Sequence, residues 1–375
     1  MSKSYTINGT ALTVHDFQDR FDYRTSQEWR EQITTLWMDD GIADIPDGAF
    51  QYFKRLEQVR LPASLKRIGA SAFSQCSSLK EITLPDGLKS LGDYAFQDTL
   101  RLRLLSLPAS LTELGEQALY IGSGSRLSAI RVAEGNPAYA SVNGVLFSRD
   151  MTRLIKYPSA KRVAEYCVPE TVREIAGDAF AHTNYLHRVT LPKELRLLGS
   201  GAFSFCSHIE ELVIPETVEG IPSYAFFCCE RMERLVLPSR VQYLGYESIC
   251  NCSMLREVTL PAGFTQLDYA SVGGNKKLEE LVIPEGVTEL NNSALIDDTG
   301  LRRVILPSTL TAIWDHAFQR CASLEEIVIP ENVEYIDDEA FLGCTGLRRV
   351  LMKSKHIKDD RWLPEKLRSE VTVTR

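Results

Sequence analysis

Nine cysteines and six histidines are the residues of this 375-residue chain best suited to metal binding or nucleophilic chemistry. Stacked thiols can bind a metal or form disulfides. Six of the cysteines share one position of a repeating pattern: Cys76, Cys206, Cys229, Cys252, Cys321 and Cys344. Other repeats place Thr99, Thr183, Asn275 and Asp298 there, and all of these are short side chains that hydrogen-bond to nearby backbone. We therefore predict a structural ladder, with no metal and no cofactor.

His208 lies two residues after Cys206, and this is the pair that comes nearest to a Cys–His nucleophilic site. The cysteine belongs to the repeated structural position, however. The sequence also has no glycine-rich phosphate loop and no nucleophile elbow. We therefore predict no catalytic residues, and an enzyme is the least favoured class of function. A deep pocket containing a strongly shifted titratable group would favour it again.

The elements that position these residues follow from a 23-residue repeat. A Leu-Pro, Ile-Pro or Val-Pro pair begins at residues 61, 84, 107, 168, 191, 214, 237, 260, 283, 306 and 329, and every interval except one is 23. The unit reads L-P-x-x-L-x-x-I-G-x-x-A-F-x-x-C-x-x-L-x-x-I-x. So regular a period predicts a solenoid. Each coil should add one short strand to a parallel sheet, with short helical turns or irregular segments on the other face.

Two further positions of the repeat predict features of the structure. The aromatic position should form a buried spine; it contains Phe50, Phe73, Phe96, Phe180, Phe203, Phe226, Phe318 and Phe341. The glycine position should adopt a left-handed backbone conformation; it contains Gly69, Gly92, Gly115, Gly199 and Gly245, with Asp268, Asn291 and Asp337 in other coils. Trp314, Ala176 and Pro222 break this position, so we expect the turn to differ there.

These motifs resemble the BspA-like leucine-rich repeat family, whose 23-residue unit has the same L-P, I-G and A-F-x-x-C landmarks. The resemblance covers roughly residues 38–350. The segment from Asn136-Pro137-Ala138-Tyr139 to Tyr157-Pro158 is similar to an insertion of that family. The resemblance implies a leucine-rich repeat solenoid of the α/β type. It also implies protein-binding or adhesion roles, often at bacterial surfaces and towards host matrix proteins.

The chain divides into three predicted parts: an N-terminal cap (1–37), the solenoid (38–351) and a C-terminal cap (352–375). Tyr5 to Val14, around Asn8-Gly9, should form a hairpin that covers the first coil. The segment 132–167 is an enlarged repeat, in which Asn143-Gly144 predicts a tight turn between short strands. Caps are expected because an open end of a solenoid exposes core and an unpaired strand.

The outward face of the strands supplies the candidate binding residues. An apolar stripe is formed by Val213, Val236, Thr259, Val282, Ile305, Val328 and Leu351. A parallel row of charge contains Arg234, Glu257, Glu280, Arg303, Glu326 and Arg349. Such a rimmed stripe on the concave side of a solenoid predicts a protein-binding surface. The alternative is that β-branched residues simply suit strands. The equivalent N-terminal residues (Trp37, Arg60, Thr83, Ser106 and Arg131) are more polar, so contact should favour the C-terminal half.

Composition bounds the partner and the compartment. The net charge of −8 and pI near 5.5 argue against nucleic acid or an anionic membrane as partner. No apolar run is long enough for a membrane helix, and none resembles a signal peptide. We therefore expect a cytoplasmic protein, or a secreted or cell-surface one if the sequence has been trimmed. The partner should be a protein of unknown identity, and the oligomeric state is open. A structural or self-assembly platform, acting through the caps or the 132–167 segment, is the second hypothesis.

Overall fold

The computed structural model describes residues 4–17, 27–369 and 371–374. Residues 1–3 and 18–26 of the predicted N-terminal cap, and 370 and 375 of the predicted C-terminal cap, therefore lie outside the described part. The chain forms two compact units. Unit 1 comprises Met1–Arg162 with Asp178–Tyr185, and unit 2 comprises Val163–Gly177 with Leu186–Arg375.

The elements of unit 1 are short strands and one-turn helix α1 (Gln27–Arg30). The strands are β1 (Tyr5–Asn8), β2 (Ala11–Val14), β3 (Thr35–Met38), β4 (Asp44–Ile45), β5 (Gln58–Arg60), β6 (Arg67–Ile68), β7 (Glu81–Ile82), β8 (Ser90–Leu91), β9 (Leu104–Leu107), β10 (Glu113–Leu114), β11 (Ala129–Val132), β12 (Tyr139–Val142), β13 (Val145–Ser148) and β14 (Arg153–Lys156).

Unit 2 continues the same pattern and contains helix α2 (Glu365–Arg368) near its end. Its strands are β15 (Glu165–Cys167), β16 (Glu174–Ile175), β17 (Arg188–Thr190), β18 (Leu197–Leu198), β19 (Glu211–Val213), β20 (Arg234–Val236), β21 (Glu257–Val258), β22 (Gln266–Leu267), β23 (Glu280–Val282), β24 (Glu289–Leu290), β25 (Arg303–Ile305), β26 (Ala312–Ile313), β27 (Glu326–Ile329), β28 (Tyr335–Ile336), β29 (Arg349–Met352) and β30 (Thr372–Thr374).

The strand before each Leu/Ile/Val-Pro pair forms the first ladder, as predicted. Its strands pair in parallel with a register of one repeat, so that Leu212 lies beside Leu235 and Leu281 beside Val304. In β19 and β23 the central residue is buried, and its two neighbours face solvent. In unit 2 the first ladder comprises two sheets, β15-β17-β19-β20-β21 and β23-β25-β27-β29-β30.

Two-residue strands form a second parallel ladder. The repeat pattern did not predict it. In unit 1 it has the order β10-β8-β6-β4, and Ile68 pairs with Leu91. In unit 2 it includes β22, β24, β26 and β28, and Leu290 pairs with Ile313. The apolar residues leading into these strands are spaced by three, and two residues are too few to show the alternation that indicates a strand.

The Ala-Phe-x-x-Cys side of each coil consists of turns rather than helix, which is the second of the two predicted forms. The N–H groups of Ser71, Phe73 and Gln75 donate to carbonyls of the next coil at 2.7–2.9 Å. The residues between them donate to the carbonyl three positions back in their own coil. Alternate N–H groups therefore bond in two different directions, and all of them are satisfied without a helix.

The left-handed backbone conformation predicted for the glycine position is wrong. None of the five has a positive φ; the left-handed residues lie two and six positions later, as at Ser71 (φ 54°) and Gln75 (φ 62°). The glycines are needed because adjacent coils approach closely. A Cβ on Gly92 would lie 2.6 Å from the carbonyl carbon of Gly69, and one on Gly245 would lie 2.8 Å from that of Pro222.

The predicted phenylalanine spine is confirmed, because all eight rings are fully buried. In unit 1, Phe73 stacks on Phe96 with ring centroids 5.7 Å apart and an interplanar angle of 6°. In unit 2, Phe318 stacks on Phe341 at 4.9 Å, and Trp362 covers Phe341 edge-on at 5.4 Å. The spine of unit 2 therefore ends against a C-terminal tryptophan.

Both predicted hairpins are present in unit 1. β1 and β2 pair antiparallel around Asn8-Gly9, and β2 then pairs in parallel with β3 of the first coil. In the inserted segment, β12 and β13 pair antiparallel around Asn143-Gly144, and both turn residues have positive φ. Buried Asn136 attaches this segment to the preceding coil, since its amide donates to the carbonyls of Pro108 and Leu111 at 2.9 Å.

Candidate functional site

The repeated cysteines form the hydrogen-bonded ladder that the substitutions predicted. The thiols donate to backbone carbonyls at the aromatic position of the preceding coil. Cys76 donates to the Phe50 carbonyl at 3.2 Å, and Cys229 to the Phe203 carbonyl at 3.1 Å. Asn275 replaces cysteine and donates its amide to Ile249 in the same way, at 3.0 Å. Burial raises the pKa of Cys229 well above its usual range, so the thiolate needed for metal binding or attack is disfavoured.

The Cys206–His208 pair has the environment of structural residues. Cys206 is fully buried, whereas the His208 ring packs edge-on against His187 at 5.5 Å and lies 3.2 Å from the Ser207 hydroxyl. Burial, followed by the charge of Arg231, lowers the pKa of His208. This geometry gives the pair no support as a nucleophile and its base.

Unit 1 contains a buried polar cluster at the insertion. The Lys156 ammonium donates to the Asp178 carbonyl at 2.6 Å, and the Tyr120 hydroxyl lies 3.0 Å from His182 Nε2. Burial lowers the pKa of His182 to about 4 and raises that of Tyr120 to about 12. Near neutral pH the histidine is therefore uncharged and the phenol protonated. Tyr157 N–H also donates to Ala179, so these bonds join the inserted segment to residues 178–185.

Asp315, His316 and Glu339 are a group of described residues whose ligand atoms lie within 4.8 Å of one another. Asp315 Oδ1 lies 2.6 Å from His316 Nδ1, and Glu339 Oε2 lies 2.9 Å from Nε2. One ion cannot coordinate both nitrogens of a single imidazole. The arrangement is better described as a histidine that bridges two carboxylates than as a metal site.

The apolar stripe lies on the solvent side of the first ladder of unit 2. Val213 and Val282 are 54% and 49% exposed, and Thr259 and Ile305 are also exposed, whereas Val236, Val328 and Leu351 are half-buried. Three pairs of its members lie directly beside one another on neighbouring strands. The register pairs Val213 with Val236, Val282 with Ile305, and Val328 with Leu351.

The charged row borders the stripe and forms ion pairs between coils. Arg234 lies 2.8 Å from Glu211 and 3.7 Å from Glu257. The C-terminal pairs are Arg303–Glu280 at 3.8 Å and Arg349–Glu326 at 3.0 Å. These side chains are exposed, and surface ion pairs contribute about 0–1 kcal/mol each. They form the polar rim of the stripe and contribute little to the stability of the protein.

The equivalent residues of unit 1 are exposed too. Trp37 is 50% exposed and pairs in register with Arg60, and Thr83, Ser106 and Arg131 are exposed on later coils. This surface is polar apart from Trp37, so the apolar stripe is a feature of unit 2.

Unit 2 also contains an open groove that the repeat pattern did not predict, and we call it the aromatic groove. It has a volume of about 620 Å³ and is lined by Ser223, Gly245, Tyr246, Asp268, Tyr269, Glu289, Asn291, Asn292 and Trp314. A signal for it was present in the sequence. Asp268, Asn291 and Trp314 are the residues that replace glycine in three successive coils.

The backbone N–H at this position donates to the preceding coil at 2.8 Å for Gly92 and Gly245, at 3.2 Å for Asn291 and at 3.0 Å for Trp314. Asn291 and Trp314 therefore keep the bond between coils and, unlike glycine, place side chains in the groove. Within the described residues, no helix is both long and apolar enough to cross a bilayer.

Comparison with known proteins agrees with this architecture. The sequence profile of the BspA type leucine rich repeat region matches residues 32–139, 157–278 and 273–361 in six copies. A leucine-rich repeat protein from Eubacterium ventriosum is similar in structure, with 21% identity, a TM-score of 0.64, and coverage of 95% of this chain and 93% of that one. The pneumococcal vaccine antigen PcpA is similar with 24% identity, a TM-score of 0.57, and coverage of 98% and 95%. No curated protein gives a significant match. At these identities the structural likeness shows the fold alone.

Proposed function

Because this chain belongs to the BspA-type leucine-rich repeat family, we propose that it is a non-enzymatic module that binds a protein partner. The observation that carries the proposal is the apolar stripe of unit 2, where Val213, Val282 and Ile305 are exposed on the strands. Exposed apolar rows bordered by charge are typical of protein contact surfaces.

Burial of the stripe would supply affinity, and its rim would supply specificity. Because these valines are already about half buried, covering the remainder of one side chain contributes about 1 kcal/mol, or roughly fivefold in affinity per residue. The alternating charges of the rim favour a partner with complementary charges at a similar spacing. The rigid ladder keeps these side chains in place, so little ordering is needed on binding.

The stripe is tested with Val236→Glu combined with Val282→Glu. We expect the double variant to lose most of its partner binding while its melting temperature is kept, because both side chains lie on the outer face of the strands, where Val282 is exposed and Val236 half-buried. Chemical cross-linking and capture from the source cell, compared between wild type and variant, provides the measurement. Thr83→Glu combined with Ser106→Glu places the same charges on the polar face of unit 1 and is the matched control.

Only a partner captured by wild type and control but lost from the stripe variant supports the proposal. Equal capture by all three proteins, with melting unchanged, would discard the stripe as the contact. Tagging the full chain in its source cell decides between the expected cytoplasmic setting and the cell-surface adhesion that the resemblance implies.

Self-assembly is the second candidate, and one observation favours it. β1 lies at the end of its sheet, and Ile7 on it is 39% exposed, so this edge can pair with another strand. Light scattering across concentration measures the oligomeric state. A stable oligomer that is lost on deleting the 132–167 segment or the β1–β2 hairpin would favour this function over partner binding.

A further inference from the structure

The aromatic groove combines exposed rings with carboxylates. Tyr246 and Tyr269 stack in parallel, with ring centroids 4.6 Å apart and an angle of 11°, and they are 42% and 38% exposed. Trp314 is 37% exposed and packs on Tyr335 at 5.0 Å. The Trp314 indole N–H donates to Glu289 at 2.9 Å, so a carboxylate lies at the edge of the ring.

The face that contains the groove is rich in carboxylates. It is formed by the segments 219–224, 242–247, 265–270, 288–293, 311–316 and 334–339, none of which contains lysine or arginine. Their acidic residues are Glu219, Glu247, Asp268, Glu289, Asp315, Glu334, Asp337, Asp338 and Glu339. The corresponding segments of unit 1 contain Lys66, Arg67 and Lys89. Positive or titratable groups of the described residues also lie near this face. Arg240 is 3.9 Å from Glu219, His316 lies between its two carboxylates, and His356, Lys358 and Arg361 line a neighbouring cleft with Glu334 and Asp337.

Electronegative ring faces and carboxylates both attract cations. A cation over a tyrosine or tryptophan ring gains about 0.5–2 kcal/mol, more when water is displaced. A guanidinium placed over the Trp314 indole would also be within reach of the Glu289 carboxylate, which can accept hydrogen bonds from it. An anionic ligand would be repelled by the whole face.

We propose that the aromatic groove binds an arginine or lysine side chain within an extended segment of a protein partner. Charge complementarity selects the cation, and the volume of about 620 Å³ is large enough for a side chain together with its flanking backbone. The groove lies beside the second ladder, so this site goes beyond the stripe of the first ladder and does not depend on it.

The experiment selects dodecapeptides from a random display library on the full chain. We expect enrichment of arginine and lysine, and for the selected peptides an affinity roughly tenfold weaker with Glu289→Gln and with Trp314→Ala. Replacing arginine by citrulline in a synthetic peptide keeps the shape and removes the charge, and should weaken binding similarly. Fluorescence anisotropy measures each affinity, and binding should weaken as salt is added.

Two control proteins locate the site. Tyr94→Ala removes a tyrosine of similar exposure from unit 1, and the Val236→Glu, Val282→Glu variant alters the stripe; both should keep wild-type affinity for the basic peptides. Glu289→Gln changes shape little, so it stays informative even if Trp314→Ala disturbs packing. The proposal is overturned if arginine and citrulline peptides bind equally, if no selected peptide depends on the groove, or if neutral oligosaccharides bind there instead.

Discussion

At the scale of single residues, hydrogen bonding explains which side chains occupy the repeated cysteine position. At the cysteine position, cysteine and asparagine donate a hydrogen bond to a carbonyl of the preceding coil, and Thr99 donates to the Phe96 carbonyl of its own coil at 2.9 Å. Asp298 differs from these donors. It is fully buried, its Oδ1 accepts from the Asn275 N–H at 2.7 Å, and its Oδ2 has no hydrogen-bond partner. Burial raises the pKa of Asp298 well above its usual range.

Asp298→Asn should therefore stabilise the protein. An asparagine can keep the bond to Asn275 and donate its amide as Asn275 itself does, which removes a buried unpaired group and adds roughly 1–3 kcal/mol to the unfolding free energy at pH 7. Because the folded pKa of Asp298 lies above its unfolded value, the unfolded chain releases the proton first. Wild-type stability should fall relative to the variant as pH rises from about 4.

Chemical denaturation at several pH values measures this difference. Asp86→Asn, at an exposed carboxyl of unit 1, is the matched control and should change stability little. The interpretation of Asp298 is contradicted if Asp298→Asn is no more stable than wild type at neutral pH, or if the gap between them does not depend on pH.

At the scale of elements, the spacing between coils decides which residues each turn tolerates. Gly92 has an ordinary backbone conformation, yet a Cβ there would lie 2.6 Å from Gly69 and 2.8 Å from the Cα of Ala70. The sequence showed that glycine recurs at this position, but the left-handed backbone conformation predicted from it was the wrong reason. Left-handed φ values are instead found at residues as varied as Tyr94, Phe205 and Arg320, whose types carry no common signal.

Gly92→Ala should destabilise unit 1 by roughly 1–3 kcal/mol, because a backbone neighbour must shift to admit the methyl group. Gly263→Ala is the matched control, since its nearest neighbour would be 3.4 Å away and alanine there costs little. Thermal melting of both variants distinguishes close approach from backbone conformation. Equal melting temperatures for the two would show that the coils can separate freely at Gly92.

At the scale of the whole molecule, both ends of a repeat array need to be covered, because an open end exposes core residues and an unpaired strand. Trp362 is 2% exposed, packs on Phe341 at 5.4 Å and donates its indole N–H to Asp359 at 3.0 Å. β30 continues the first ladder beyond β29. The C-terminal segment thus covers both the spine and the sheet of unit 2, as solenoid ends require.

Trp362→Ala should lower the unfolding free energy by roughly 3–5 kcal/mol, because it opens a cavity at the end of the spine. Since each coil depends on its neighbour, hydrogen exchange should accelerate first in residues 335–352 and less in earlier coils. Trp37→Ala, at a half-exposed tryptophan of unit 1, should have a small effect. Uniform acceleration throughout unit 2, or none, would show that Trp362 does not act as an end cap.

The sequence by itself determined the repeat, the inward and outward positions of the first ladder, the aromatic spine, both hairpins and the structural role of the cysteines. Each of these depends on residue type at a fixed period, so one coil predicts the next. The tertiary structure alone showed the second ladder, the alternating hydrogen bonds of the turns and the reason for glycine at residues such as Gly92. It also brought Tyr246, Tyr269 and Trp314 together, because these depend on distances between coils that residue types in one coil do not specify.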